Sequence, residues 1–312
     1  MTGKNKYPQL KFSGRLLGVL LLPGSLWAAS DPAMLVHYIM EKVAVNQDRG
    51  LEARSSFVYQ QNLLIRFKRS DGKACREEIR EFTVTPSANG TRKTLVHFAG
   101  KYLKDRSYVE YTQPGYAYKG VDLDGALIAS FADDFANDQG SRDGIDTDMF
   151  PLTTPEQEKY VFTLKGKERY RNREVFRITF QPLPLRAGQS NGRGLEKEEG
   201  SWSGEVLVDS SDYQPVVVTT HLARGIPFWV KTLLGTDVTH LGFKVEYEKF
   251  EDNLWFPVEY GGEFKLKALF FYKRNMAIAL HNHGFQRSSV TTVLTYDDPF
   301  SISTEVPATD SH

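Results

Sequence analysis

Cysteine is almost missing from this sequence: Cys75 is the only one. One thiol cannot close an internal disulfide, so stability has to come from a packed core. Cys75 itself reads as a small buried residue, not a nucleophile. Long apolar runs are missing after the first thirty residues. No later segment offers the roughly 20 apolar residues that a membrane helix needs. Net charge is missing as well, with 39 basic residues against 39 acidic ones. Nucleic acid is therefore not an expected partner, because phosphate binding needs a basic surface. The motifs of several enzyme classes are also missing: there is no Gly-x-Ser-x-Gly elbow, no HExxH and no phosphate-binding glycine loop. Gly200-Ser201-Trp202-Ser203-Gly204 looks like an elbow only until its central residue is read, which is Trp202. Asp133-Asp134 and the run Glu196 to Glu199 read as solvated charge.

The first thirty residues have a plan of their own. Lys4, Lys6, Lys11 and Arg15 give a basic start without any acid, and Leu16 to Trp27 is an apolar stretch. Ala28-Ala29-Ser30 then supplies small residues where a signal peptidase needs them. Residues 1–30 are expected to be a signal peptide cleaved near Ser30, so the mature chain is expected to be exported. No cysteine follows the apolar stretch, which argues against lipoprotein processing. Taking the four basic residues of the leader from 39 leaves 35, against 39 acids, so the mature chain is mildly acidic.

Asp31-Pro32 is an N-cap followed by a first-turn proline. Met34, Leu35, Tyr38, Ile39, Lys42 and Val43 follow at helical spacing, which predicts a helix over about 32–45. After Gly50 the period changes to that of strands. Runs rich in β-branched and aromatic residues cover 56–68, 77–85, 93–98 and 108–111, separated by Ser70-Asp71-Gly72, Asn89-Gly90 and Pro114-Gly115. A second helix is expected over 122–137, then a surface loop over 138–155. Strands resume at 161–165, 174–181, 203–209 and 215–221, with a charged, glycine-rich insertion over 183–201. Five more are expected at 241–250, 254–260, 263–272, 276–285 and 289–296, the break between the second and third falling at Gly261-Gly262. The tail 299–312 is small and polar and is expected to be flexible.

A sheet of about eleven or more strands must curl, close or split. The expected fold is therefore α+β: one domain over 31–298, built as one strongly curved antiparallel sheet. One N-terminal helix and one or two inserted helices would lie on its concave side.

One stretch carries a family likeness. Tyr160-Val-Phe-Thr-Leu-Lys-Gly-Lys-Glu leads to Val175-Phe-Arg-Ile-Thr-Phe-Gln-Pro182. Gly204-Glu-Val-Leu-Val-Asp209 then leads through Asp212-Tyr-Gln-Pro to Val216-Val-Val218. With export, the meander and the helix order, this resembles the outer-membrane lipoprotein-sorting family of LolA and LolB type and the related sensor domain of RseB. The resemblance implies an unclosed antiparallel half-barrel with an apolar cavity that holds acyl chains, a periplasm of the Gram-negative type as its place, and lipid or an acylated lipoprotein as partner. The energetics allow it. Burying a sixteen-carbon chain offers about 12 kcal/mol gross, at about 0.8 kcal/mol per methylene, against an association cost of roughly 4–15 kcal/mol. The reading is a non-enzymatic carrier without a cofactor. Its alternatives are an envelope-stress sensor that holds a membrane protein partner, and an envelope hydrolase.

Candidate ligand contacts follow from apolar clusters. Ile226 to Leu234 joins two strand blocks, and its Phe228, Trp229, Leu233 and Leu234 would be costly to expose. Trp255, Phe264, Leu266 and Phe270 form a second concentration, in which Phe264, Leu266 and Phe270 share one strand face. The same residues would serve equally as ordinary core. His281 and His283 alternate on one strand and, with Glu259, are of the right types for a metal, but no third ligand lies nearby in sequence.

Overall fold

The structure, a computed structural model, describes residues 32–87, 90–118, 120, 122–137, 150–184, 201–224, 237–250, 254–268 and 272–288. The expected leader, the segment 226–234, Phe270, the strand expected over 289–296 and the tail lie outside the described residues.

Helix α1 spans Pro32–Arg54. Strands β1 (Phe57–Lys68), β2 (Ala74–Ser87), β3 (Gly90–Lys104) and β4 (Ser107–Tyr111) follow, then helices α2 (Leu123–Asn137) and α3 (Thr154–Gln157). The chain continues through β5 (Tyr160–Tyr170), β6 (Arg173–Pro182), β7 (Ser201–Asp209), β8 (Pro215–Arg224), β9 (Asp237–Lys249), β10 (Trp255–Ala268) and β11 (Tyr272–Arg287). All eleven strands form one antiparallel sheet in the order β4-β3-β2-β1-β11-β10-β9-β8-β7-β6-β5. Two meanders are thus joined where the first strand meets the last. Among the described residues no pairing links β4 to β5, so the barrel stays open.

Strict alternation builds the sheet. In β1 every second residue is buried, and Leu63, Ile65 and Phe67 face the same side as Leu280, Ile278 and Met276, their partners in β11. That side continues through Tyr260 and Phe264, Phe243 and Val245, Val218, Val206, Ile178 and Phe180. Helix α1 lays Val36, Ile39, Met40 and Val43 on it. The same helix touches both β5 and β10. A flat sheet would hold those strands about 24 Å apart, at about 4.8 Å per strand, while a helix is only about 10–12 Å across. The sheet therefore curls round α1.

Three expectations need correction. Helix α1 runs on to Arg54, because Gln47, Gly50 and Arg54 continue its buried stripe without being apolar. Gly261-Gly262 is no break but lies inside β10. A Cβ on Gly262 would stand 2.6 Å from the Phe243 ring, so the glycine marks a close approach and not a turn. The end of the loop expected over 138–155 is ordered packing: Phe150 and Leu152 are buried in the core, and Thr154 begins α3.

Candidate functional site

The helix-covered face has an opening where α1, α3 and the free edge strand β5 meet. It is a cleft of about 600 Å³ lined by Val36, Met40, Ala44, Val45 and Phe162, with His37, Glu41 and Glu158 at its rim. Its walls are held by polar contacts behind the lining. Gln157 donates through Nε2 to the carbonyls of Met40 and Leu152, both at 2.9 Å, which ties α3 to α1. Thr154 Oγ1 donates to Asp48 Oδ2 at 2.7 Å. Asn46 Nδ2 donates to the carbonyls of Asp212 and Tyr213 at 2.9 and 3.1 Å, which fixes the other half of α1 to the β7–β8 turn. That turn is itself set by Asp209, whose Oδ1 accepts from the backbone N–H of Ser211 and Asp212 at 2.9 and 3.0 Å. The Asp of the sequence motif thus acts locally, shaping the turn that α1 rests on.

The other end of this face is polar. Arg76, Glu78 and Arg80 occupy successive inward positions of β2, and they are 1, 1 and 4% exposed. Arg76 donates to Tyr111 Oη at 2.9 Å, to Asp122 Oδ2 at 2.5 Å and to the Tyr116 carbonyl at 2.5 Å. Tyr111 donates to Glu78 Oε1 at 2.7 Å, and Arg80 donates to Glu78 Oε2 at 2.8 Å. Burial opposes the Arg76 charge, but Tyr111 and Asp122 outweigh it and hold the guanidinium above its ordinary pKa. Burial, and then Glu78, pushes the Tyr111 hydroxyl up. Asp122 also accepts from the Gly125 N–H at 3.0 Å, across the start of α2. Two residues on, Asp124 accepts from Tyr272 Oη at 2.6 Å and from Arg274 Nε at 2.9 Å. Two neighbouring carboxylates thus clasp the N-terminus of α2 to β2 and β11.

The opposite face of the sheet has a trough of about 870 Å³ over Leu64, Ile79, Gly261, Ala277 and Ala279. Several charged groups in and beside it are engaged with one another. Glu77 bonds Arg66 and Lys101, and Glu246 bonds Arg171 and Lys244. Burial raises both carboxyls, but these cations outweigh it and hold them below the usual carboxylate range.

Of the residues singled out in the sequence, Phe264 is 2% exposed in the core, opposite Met276. Trp255 is equally buried, with the Arg173 guanidinium 4.9 Å from its ring. Neither lines the cleft. Leu266 pairs with Arg274 on β10, while Phe228, Trp229, Leu233, Leu234 and Phe270 lie outside the described residues. His281 and His283 stack with ring centroids 5.4 Å apart, and among the described residues no group of three potential ligands is placed to hold a metal. Sequence reasoning missed the cleft residues Met40, Ala44 and Phe162. The signal was present in α1, where Val36, Met40 and Ala44 share a stripe. The inward arginines of β2 left no such signal, since charge on a strand reads as solvent-facing.

The class defined by this geometry is an unclosed antiparallel half-barrel with helices on one face. No protein-family model matches the sequence, and no curated protein matches it. Among solved structures the chain is similar to a DUF1329 family protein from Desulfovibrio piger, at 10% identity, 84% of this chain, 96% of that one and a TM-score of 0.37. It is similar to a LolA superfamily protein from Nitrosomonas europaea, at 11% identity, 80% and 96% coverage and a TM-score of 0.30. It is also similar to the lipoprotein LppX of Mycobacterium tuberculosis, at 8% identity, 82% and 98% coverage and a TM-score of 0.24. These neighbours include the family that the sequence resembles. Identities and TM-scores this low carry nothing about function, and the fold stands on its own strand order.

Proposed function

We propose that this chain is an exported periplasmic protein that binds an apolar ligand, a lipid or the acyl chains of a lipoprotein, and serves envelope lipid or lipoprotein trafficking. The observation that carries this reading is the cleft between α1 and the β5 edge. Its volume, about 600 Å³, suits a ligand site, for which roughly 300–1,000 Å³ is usual. Its wall is mostly aliphatic and aromatic, with Thr154 and Gln157 among the lining, and its charged groups are exposed, where a headgroup would stay in water. In this reading the work of the cleft is sequestration. The basic, then apolar, leader supports export. The segment holding Phe228, Trp229, Leu233 and Leu234 enters the proposal as an additional contact, with Leu266 and Phe270. In the chain it follows Arg224, whose partner Ser201 precedes Trp202, and the Trp202 N–H donates at 3.3 Å to Oη of Tyr160, a residue of the cleft.

The test is uptake of an apolar fluorophore, together with native mass spectrometry for co-purifying lipid. Phe162 is half-buried and packs on the core from the edge strand, so Phe162→Asp should keep the fold at some cost in stability, read by urea unfolding. It should weaken fluorophore binding at least about tenfold, the effect of losing roughly 1.4 kcal/mol of apolar contact. A wild-type protein that takes up no fluorophore, or a Phe162→Asp variant that binds as well as wild type, would sink the cleft.

A further inference from the structure

The strand order β4-β3-β2-β1-β11-β10 sets three hairpins side by side at one end of the sheet: β3–β4, β1–β2 and β10–β11. The described residues that flank their tips are rich in cations, residues 269–271 of the third lying outside them. Lys104 and Arg106 flank the first, Arg69 and Lys73 the second, and Lys265 and Lys273 the third, and all six are exposed. Lys68 adds a half-buried seventh. The carboxylates among them are Asp71, Asp105 and Glu263. Asp71 already accepts from the Lys73 backbone N–H at 2.9 Å, and Glu263 lies 3.5 Å from Lys68.

The whole chain is neutral, so this excess is a matter of placement. At the other end of the strands three cations are paired: Arg171 bonds Glu246 at 2.7 Å, Arg173 reaches Asp209 at 3.3 Å, and Lys249 bonds Asp212 at 2.9 Å. A second feature marks the cationic end. Tyr108, Tyr116 and Tyr118 are 45, 38 and 40% exposed there. Tyr108 bonds the Ala74 carbonyl at the start of β2, while the carbonyl of Tyr116 and the N–H of Tyr118 are anchored by Arg76 and Asp122. Half-exposed tyrosine suits a boundary with one apolar and one wet side.

We infer that the cations along this row of strand ends dock on the surface of an anionic lipid bilayer. Six adjacent strands make a row about 24 Å long, at about 4.8 Å per strand. The cations stand along the row and do not converge on a pocket, so a single phosphate meets one tip while a planar anionic surface meets all three. Tyrosine beside them favours lipid over a wholly polar polyanion. The inference is independent of the cleft, although β5 begins at the same end of the sheet, so a docked protein would hold the cleft near the lipid.

The test is co-sedimentation of the full mature chain with phosphatidylcholine vesicles, alone or mixed with phosphatidylglycerol, at low and high salt. The wild type should sediment with the mixed vesicles only, and lose them at high salt. Each cation near such a surface contributes about fivefold in partitioning, so Lys73→Glu, Arg106→Glu and Lys273→Glu combined should weaken binding at least about a hundredfold. A control that reverses two exposed cations elsewhere, Arg92→Glu with Arg169→Glu, should keep most of it. Phe162→Asp should sediment as the wild type does, which separates this inference from the cleft. Equal binding to both vesicle types, no binding at low salt, an undiminished triple variant, or an equal loss in the control would each overturn it.

Discussion

The two ends of the helix-covered face are built on one pleat with opposite chemistry. From β5 to β11 it carries Ile178, Val206, Val218, Val245 and Phe243, and α1 covers it with aliphatic side chains. On β2 the same inward positions carry Arg76, Glu78 and Arg80, and α2 meets them with Asp122. Apolar packing has no direction, so it accepts small adjustments. Buried charge holds only when every member has a partner, and then it fixes one arrangement. The apolar part supplies the bulk of the burial, and the polar part decides where α2 sits. The largest expected effect follows. Asp122→Ala leaves the Arg76 guanidinium short of its carboxylate and should cost about 3–5 kcal/mol, read by urea unfolding. Arg76→Met combined with Asp122→Ala should recover part of that loss, because the charge itself is gone while Arg80 still pairs Glu78. A cost below about 1 kcal/mol for Asp122→Ala, the size of an exposed pair, would erase the contrast.

Cys75 reports on the second half of the clasp. Burial, and then the neighbouring Asp124 charge, raises its thiol from an ordinary 9.0 to about 11. Only the thiolate attacks a thiol reagent, so two units of pKa make the native thiol about a hundredfold slower than a free cysteine at neutral pH, before any shielding is counted. The sign for stability is equally definite. A thiol whose folded pKa lies above its unfolded value adds stability that is complete below pH 9.0 and lost as pH rises through about 11. Asp124→Asn removes the charge that holds Tyr272 and Arg274 and should speed labelling at pH 8, while Phe162→Asp should not. Equal labelling rates for wild type and Asp124→Asn would mean that the clasp does not guard Cys75.

Much of this is legible in the sequence. The meander, its curl and the first two helices follow from periods of 2 and 3.6 broken by turn residues, the unclosed barrel follows from the family resemblance, and the motif alone puts Asp209 at its turn. What fails shares one cause: the residue type looks like the signal where its neighbour is the reason. Gly261-Gly262 reads as punctuation, yet Gly262 is small because Phe243 stands over it. Gln47 and Arg54 read as the end of an apolar helix, yet they keep its buried stripe. Arg76 reads as solvated, yet it is 1% exposed because α2, far along the chain, brings Asp122 to it. The cleft escapes for the same reason, since Met40 and Phe162 belong to elements that meet only when the sheet curls.

The smallest effect tests the apolar part on its own terms. Ile178 is completely buried on β6, opposite Val206 of β7 and Leu164 of β5. Ile178→Val removes one methylene without touching any polar group. It should cost about 0.5–1.5 kcal/mol, seen as a lower urea midpoint at an unchanged slope. An unchanged slope matters as much as the midpoint, because it shows that the exposed surface on unfolding is the same and that the strand simply repacked. A cost matching that of Asp122→Ala would mean that the aliphatic wall is as intolerant as the charge network. The division between a permissive core and a directional clasp would then be false.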